Sequence, residues 1–544
     1  MTEMLKTSET TEKLLKFIDA SPSCFHAVKN ICVMLEDAGC IRLLENEIWT
    51  LEKGKRYFTT RNGSSVLVFS VPENYNGMQI VSAHSDSPTF RVKSGAEITV
   101  EGHYKKLNTE GYGGMILSTW FDRPLSLAGR AVVRTESGVK SVLLNIDRDL
   151  CIIPSLAIHM TRGMADHKLN PQVDLLPLLG GENADYNALI AEEAGVKKED
   201  VISSDMFLYP RQHGVVFGME NEFIASPRLD DLQCAFSATE AFLNAENKEK
   251  LLISAVFDNE EVGSLTKQGA DSTFLTDTVR RIAAALNIPE AEWLRKMPDS
   301  FMLSADNAHA VHPNYTEKCD QTNRCYLNGG IVIKYSANQK YTTDSVSAAV
   351  FGEICRKAEV PVMIFHNRSD MAGGSTLGNI SNGHLSLNTV DIGIPQLAMH
   401  SCVETAGEKD TAYMVKAMTA FYNADIRQTA DGPVLRVQGA DLVNGTPILD
   451  IKPYIPYADS HPDALGGFAA VPAGETLSVS IPPALLAQVP AERQEALRGV
   501  LAQDPRPHYQ KDPERVYGFS FAGFEVRFTV DGNQLTVRDI RPAE

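Results

Sequence analysis

Apolar residues recur at three- and four-residue steps through TTEKLLKFIDA (10–20) and FHAVKNICVMLEDAG (25–39), with a glycine closing the second run. This spacing predicts two amphipathic helices. RYFTTRNG and SSVLVFSVP follow, joined across Asn62-Gly63, the pattern of an antiparallel hairpin. MQIVSAHSD then reads as a buried strand. From about Ile98 to Phe223 the pattern becomes short alternating strands such as RAVVRT and KSVLLNI, broken by Gly, Asp and Asn, with one helical stretch at YNALIAEEAG. Beyond it, strand and helix alternate: helix LDDLQCAFSATEAFLNA, strand LLISAVFDNEE, helix DTVRRIAAALNI, strand FMLSADNAHAV, the strand VPVMIFHN, the strand-like IPQLAMHS and a closing helix near TAYMVKAMTAFYNADI. The expectation is an α/β fold with a mixed sheet. A catalytic domain occupies residues 1–94 and 226–428, and a β-rich domain is inserted at 95–225. Functional groups are expected at the carboxyl ends of strands.

Composition changes abruptly after Arg427. Thirteen of the 27 prolines fall in residues 431–544, which hold 2 lysines, 8 arginines and no cysteine. This places a boundary near 428–432 and a small α+β module at 431–544. Over the whole chain, 43% hydrophobic and 22% charged residues describe a folded, soluble protein. The start has no apolar core or cleavage site, and no window holds eighteen uninterrupted apolar residues, so the sequence predicts neither secretion nor a membrane span and points to the cytoplasm. Nine cysteines at irregular positions, without any CxxC, read as reduced thiols and give no cysteine-zinc site. A formal charge of −18 speaks against general affinity for nucleic acid phosphates or anionic lipid.

Chemistry enters with VSAHSDSPTFRVK (81–93). His84 and Asp86 stand two apart, so in an extended segment both side chains share one face, and Asp86 can brace the imidazole of His84. Four later stretches also end a strand or begin a helix with metal-type ligands: Asp230 in SPRLDDL, Glu260-Glu261 in FDNEEVGS, Asp306 in LSADNAHAVHP and His400 in LAMHS. Two cations roughly 3.5–4 Å apart need a bridging carboxylate and further histidine and carboxylate ligands. The inventory meets that need. Histidine at both ends of the set favours zinc over magnesium, with cobalt or manganese as substitutes. Neighbouring glutamates diverge at a strand end, so one of Glu260 and Glu261 can bind metal while the other takes a proton from an activated water and delivers it to a leaving amine.

AHSDSPTFRVK, RLDDLQ, FDNEEVGS, SADNAHAVHPNY and PQLAMHS, in this order and spacing, resemble the aspartyl aminopeptidase family of zinc metallopeptidases over residues 8 to 425. The resemblance implies that His84, Asp230 and Asp306 hold one zinc ion and that Asp230, Glu261 and His400 hold a second. It makes Glu260 the general base and acid and Asp86 the support of His84. It further implies a peptide substrate with a free amino terminus, preferably Asp or Glu, and a dimer-based homo-oligomer that can extend to a dodecamer. His159 in SLAIHMTR either resembles a family histidine that reaches a partner's active site or is a satisfied structural histidine, and Lys334 in GIVIKYSANQKY either meets an acidic substrate side chain or snorkels from its strand. His309 and His312 stay outside the ligand set, and DMAGGSTLG lacks the spacing of a phosphate loop.

Residues 434–457 and 501–528 resemble the carboxyl-terminal half of the TrmO family of tRNA (adenine-N6)-methyltransferases, with Asn444 where aspartate is usual. Of the family's amino-terminal barrel only the last strands can be present, without the loop for S-adenosylmethionine, so no methyl transfer is expected from this chain alone. An RNA-binding or tRNA-modifying role for residues 431–544, with Arg506, His508 and Tyr509 against phosphate and bases, is the alternative function.

Overall fold

The computed structural model describes residues 7–161, 168–429, 432–435, 477–502, 504–506 and 512–542. These fall into two compact units, Met1–Gln438 and Gly439–Glu544.

The larger unit is built on a nine-stranded mixed sheet. At its centre, strands Leu251–Phe257, Met78–His84, Phe301–Ala305 and Asn388–Gly393 run parallel to one another. Leu251–Phe257 and Phe301–Ala305 are mostly apolar because both faces are covered. Every residue of Met78–His84 and of Leu251–Phe257 is buried. Helices Glu9–Asp19, Cys24–Asp37, Leu229–Asn244, Ser345–Lys357 and Asp410–Asn423 pack one face, and Phe274–Ala285, Glu290–Arg295 and Leu377–Ser381 pack the other. The hairpin expected at Asn62-Gly63 is present as Arg56–Arg61 against Ser65–Ser70, and both turn residues take positive φ (58° and 69°).

A six-stranded antiparallel sheet comprises Gly138–Asn145, Leu125–Thr135, Val201–Pro210, Thr89–Val100, Tyr104–Tyr112 and Leu178–Gly181, in that order. The expected short strands are longer than predicted: Thr89–Val100 has 12 residues and Leu125–Thr135 has 11. Leu125, Leu127, Ala131 and Val133 face a core closed by Tyr186 and Ile190 of helix Tyr186–Ala194. A third sheet of five short strands pairs Phe223–Ser226 with Glu404–Gly407 and carries Pro395–Leu397 and Ala308–His309. The strand expected through IPQLAMHS therefore ends at Leu397, and His400 lies in the bend beyond it at φ 66°.

The smaller unit is a four-stranded sheet, Ser478–Ser480, Gln534–Pro542, Phe524–Asp531 and Tyr517–Phe521, with helices Pro483–Leu486 and Ala491–Ala502. Leu497, Leu501, Val526, Phe528, Leu535 and Ile540 form its core. The fold is thus α/β with a small β-rich carboxyl-terminal module. Most of the tail stretch 434–457, together with His508 and Tyr509, lies outside the described residues.

Candidate metal centre

Three parallel strands deliver the first donors. His84 is the last residue of Met78–His84 and aligns with Phe257, the last of Leu251–Phe257; Asp306 follows Phe301–Ala305. Glu260 and Glu261 sit in a short 3-10 turn just beyond Phe257, entered through Asn259 at φ 63°. Asp230 opens helix Leu229–Asn244 after Arg228, itself at φ 58°, and the Asp230–Asp231 peptide is cis. Left-handed backbone at Arg228, Asn259 and His400 itself concentrates strain at the site.

These elements bring together Asp230, His84, Asp306, Glu261 and His400. Asp230 turns Oδ1 toward His84 Nε2 at 3.5 Å and Oδ2 toward His400 Nε2 at 3.4 Å. His84 Nε2 is also 3.9 Å from Asp306 Oδ1, and His400 Nε2 is 3.4 Å from Glu261 Oε2. Two donor groups result: His84, Asp230, Asp231 and Asp306 in one, and Asp230, Glu261 and His400 in the other. Such separations exceed the usual hydrogen-bond range. They suit atoms sharing a tetrahedral ion, whose ligands at about 2.0–2.1 Å stand about 3.3 Å apart. Buried Asp230 Oδ1 and Asp231 Oδ1 also lack any hydrogen-bond partner. The donor set therefore fits a pair of zinc ions with Asp230 between them.

Charge supports the same fit. Burial, reinforced by Asp306, Asp86 and Asp230 and partly offset by His84, pushes the Glu260 carboxyl up to about 8. Burial and then Asp230 push Glu261 well above the carboxylate range. Asp230 is shifted the other way: burial would raise it, but His400 and His84 hold it low. Burial alone would lower the His84 imidazole, yet Asp231, Asp230, Asp306 and Asp86 raise it well above its usual value. So many carboxylates in a dry pocket call for positive charge, which divalent ions would supply.

Around the donors lies a supporting shell. Asp86 Oδ1 is 3.3 Å from His84 Nδ1 and accepts the Glu260 amide at 3.2 Å, while its Oδ2 accepts the Glu261 amide at 3.2 Å. The His84 Nδ1 also lies 3.1 Å from the Asp86 carbonyl oxygen. Glu404 accepts the His400 amide at 2.7 Å and the Asp230 amide at 3.0 Å. Asp231 Oδ2 accepts the His84 amide at 3.0 Å. The sequence reading missed Glu404 and Asp231, and of these only Asp231 had a visible signal, the doubled aspartate of RLDDL.

A cavity of 220 Å³ opens onto the donors and is walled by Glu260, His309, Lys334, Tyr341, Phe365 and Thr376 among others. Lys334 donates to the Asn307 carbonyl at 2.9 Å, lies 3.4 Å from Asp306 Oδ2 and faces the Tyr341 ring. Its ammonium is buried within the site wall, so the snorkelling alternative does not hold. His309 enters the wall of the cavity, while His159 is exposed in the turn Ala157–Met160 and is not among the residues lining it. A larger cavity of 590 Å³ reaches Asp86, Asp230 and Glu404 but not Glu260, Glu261, Asp306 or His400, so the smaller one is the candidate reaction pocket. In the carboxyl-terminal unit, Arg506 is held by both oxygens of Asp504 at 2.9 and 3.0 Å.

Comparison with known proteins bears on both units. The family model described as aminopeptidase I zinc metalloprotease (M18) matches residues 17–422. The models of the tRNA-methyltransferase O N-terminal domain and the TrmO C-terminal domain match 419–460 and 474–543. A probable M18 family aminopeptidase 2 of Clostridium acetobutylicum is 47% identical over 427 residues, which cover 76% of this chain and 99% of that protein. Its counterpart in Pseudomonas savastanoi pv. phaseolicola is 41% identical, covering 76% and 98%. Among solved structures, Chaetomium thermophilum mApe1 superposes with a TM-score of 0.69 at 29% identity, covering 76% of this chain and 97% of that one. The S. cerevisiae mApe1 dodecamer superposes at 0.68 and 27% identity, covering 76% and 96%.

Proposed function

The chain belongs to the M18 family of zinc metallopeptidases, an aminopeptidase family, and from that premise we propose a di-zinc enzyme that removes an unblocked amino-terminal residue, preferably Asp or Glu, from peptides. The observation that carries this reading is the division of Asp230, one oxygen toward His84 and the other toward His400. His84, Asp230 and Asp306 would hold one ion, and Asp230, Glu261 and His400 the other, with cobalt or manganese as substitutes. Bound there, zinc supplies Lewis acidity and makes water a better acid. Glu260 takes the proton of the attacking water and returns it to the departing amine. Asp86 keeps Glu260 and His84 in place.

Lys334 is the sole lysine or arginine among the described residues of the reaction pocket. An ammonium has three protons, and two carry the contacts to Asn307 and Asp306. The third is the group we assign to an acidic substrate side chain. The exposed run Leu156, Ile158 and Met160 around His159 supports a homo-oligomer in which this apolar turn is covered by a partner, from a dimer upward to a dodecamer like that of the yeast relative. Nine free cysteines support the cytoplasm as its compartment, and no helix among the described residues is long and apolar enough to cross a membrane. RNA binding by residues 431–544 rests on the TrmO matches alone, and the pairing of Arg506 with Asp504 weakens it.

Release of free aspartate from an Asp-initiated peptide tests the reading. The same peptide acetylated at its amino terminus should remain intact. Cleavage of both, or of neither, would overturn it.

A further inference from the structure

Tyr112 is the last residue of strand Tyr104–Tyr112, in the six-stranded sheet, whereas Glu260 follows a strand of the nine-stranded sheet. The two sheets meet at its hydroxyl. That hydroxyl donates to Asp86 Oδ2 at 2.7 Å and accepts from Asn259 Nδ2 at 2.7 Å. The direction is fixed by the rest of the network. Asn259 Oδ1 accepts Thr266 Oγ1 and Gln268 Nε2, both at 2.8 Å, so its amide nitrogen must face Tyr112 and the phenol proton must go to Asp86.

The chain then passes directly over the site. Gly113 has φ 74°, and a Cβ there would lie 3.1 Å from Cβ of Glu261 and 3.4 Å from its carbonyl oxygen. Three residues on, the Ile116 amide donates to the His400 carbonyl at 3.0 Å. One short segment thus touches the brace of Glu260, the carbon chain of Glu261 and the backbone of His400. Nothing in the spacing of these residues along the sequence announces the contact.

We propose that Tyr112 and Gly113 are positioning residues of the aminopeptidase reaction, acting through Asp86 and Glu261 to fix the Glu260–Glu261 turn; this rests on the roles given to Glu260 and Glu261 above. The physical reason is rotational. Asp86 holds the Glu260 amide through one oxygen and the Glu261 amide through the other, and the Tyr112 proton stops the carboxylate from turning away from either. Loss of a partner one step removed from the ligands, as Asp86 is, changes activity or metal affinity by about 10- to 100-fold, and Tyr112 acts through that partner. Tyr112 does not line the reaction pocket, so substrate affinity should not depend on it.

Tyr112→Phe, assayed at full zinc loading with an Asp-linked chromogenic amide, should lower kcat about 10-fold or more while KM and zinc content stay unchanged. Combined with Asp86→Asn it should add little further loss, because both substitutions break the same link. Tyr104→Phe, at the exposed far end of the same strand, should leave all three quantities as they are. Should Tyr112→Phe fold poorly, Gly113→Ala supplies the second arm: it forces Glu261 to move and should also lower kcat. Wild-type kcat in a fully loaded Tyr112→Phe or Gly113→Ala enzyme, or losses from Tyr112→Phe and Asp86→Asn that simply multiply, would overturn the proposal. A wild-type chain that releases no amino acid would overturn the peptidase reading itself, a separate failure.

Discussion

Asp86 accepts the backbone amide of Glu260 at 3.2 Å, although the two residues are far apart in the chain. The contact places the proposed general base on a carboxylate that also lies 3.3 Å from the imidazole of His84. Replacing Asp86 with Ala should therefore affect two things together: kcat falls about 10- to 100-fold, and zinc is held more weakly. Kinetics at saturating zinc, alongside a zinc titration, separate the two effects. Unchanged values of both would show that Asp86 only fills space.

Glu260 and Glu261 are neighbours with different surroundings. Both line the reaction pocket, but Glu261 Oε2 is 3.4 Å from His400 Nε2, whereas Glu260 has no such pairing to an imidazole among the described residues. Glu260→Gln should keep nearly all of its zinc while losing most turnover, a drop of about 100-fold or more. His400→Ala should lose metal. Metal analysis of the two purified variants decides it, and equal metal loss in both would overturn the division of roles.

Much of this was legible in the chain and some was not. Strand Met78–His84 reads clearly because its buried apolar residues are broken only by Gln79 and Ser82 before His84, with Asp86 beyond, marks its end. His84 and Asp306 fall at strand ends, where an apolar run stops, and Asp230 falls at the start of a helix. Glu404 could not be read the same way: it follows a loop with no period, and its role appears only when its two oxygens meet the amides of His400 and Asp230. His400 itself was expected on a strand, but its left-handed backbone belongs to a bend. Tyr112 gave no signal because its contact with Asp86 joins two separate sheets.

Lys334 offers a test of specificity. A charge-assisted hydrogen bond is worth about 1.5–3 kcal/mol, so Lys334→Gln should reduce the preference for Asp over Leu substrates about 10- to 100-fold in kcat/KM. Comparison of the two chromogenic amides with both enzymes measures it. Retention of the original preference would remove Lys334 from the substrate-binding role.

Lys250 is buried with its ammonium donating to the carbonyls of Asp299 (2.8 Å) and Ile426 (2.6 Å), and burial lowers it to about 8. The unfolded chain, with lysine near 10.5, binds more protons between pH 8 and 10.5. This residue's contribution to stability should therefore rise with pH across that window and be least favourable below about 8. Denaturant titrations from pH 7.5 to 10.5 should show that rise relative to Lys250→Met, in which it disappears. A parallel pH dependence in both proteins would contradict it.

The central claim is a pair of zinc ions shared through Asp230. Exhaustive chelation, followed by stepwise return of zinc with activity and bound metal measured on the same samples, tests it most directly. The account predicts loss of Asp-amide hydrolysis on chelation and recovery that saturates near two zinc ions per chain. Hydrolysis that survives complete metal removal, or full activity restored at one ion per chain, would contradict it.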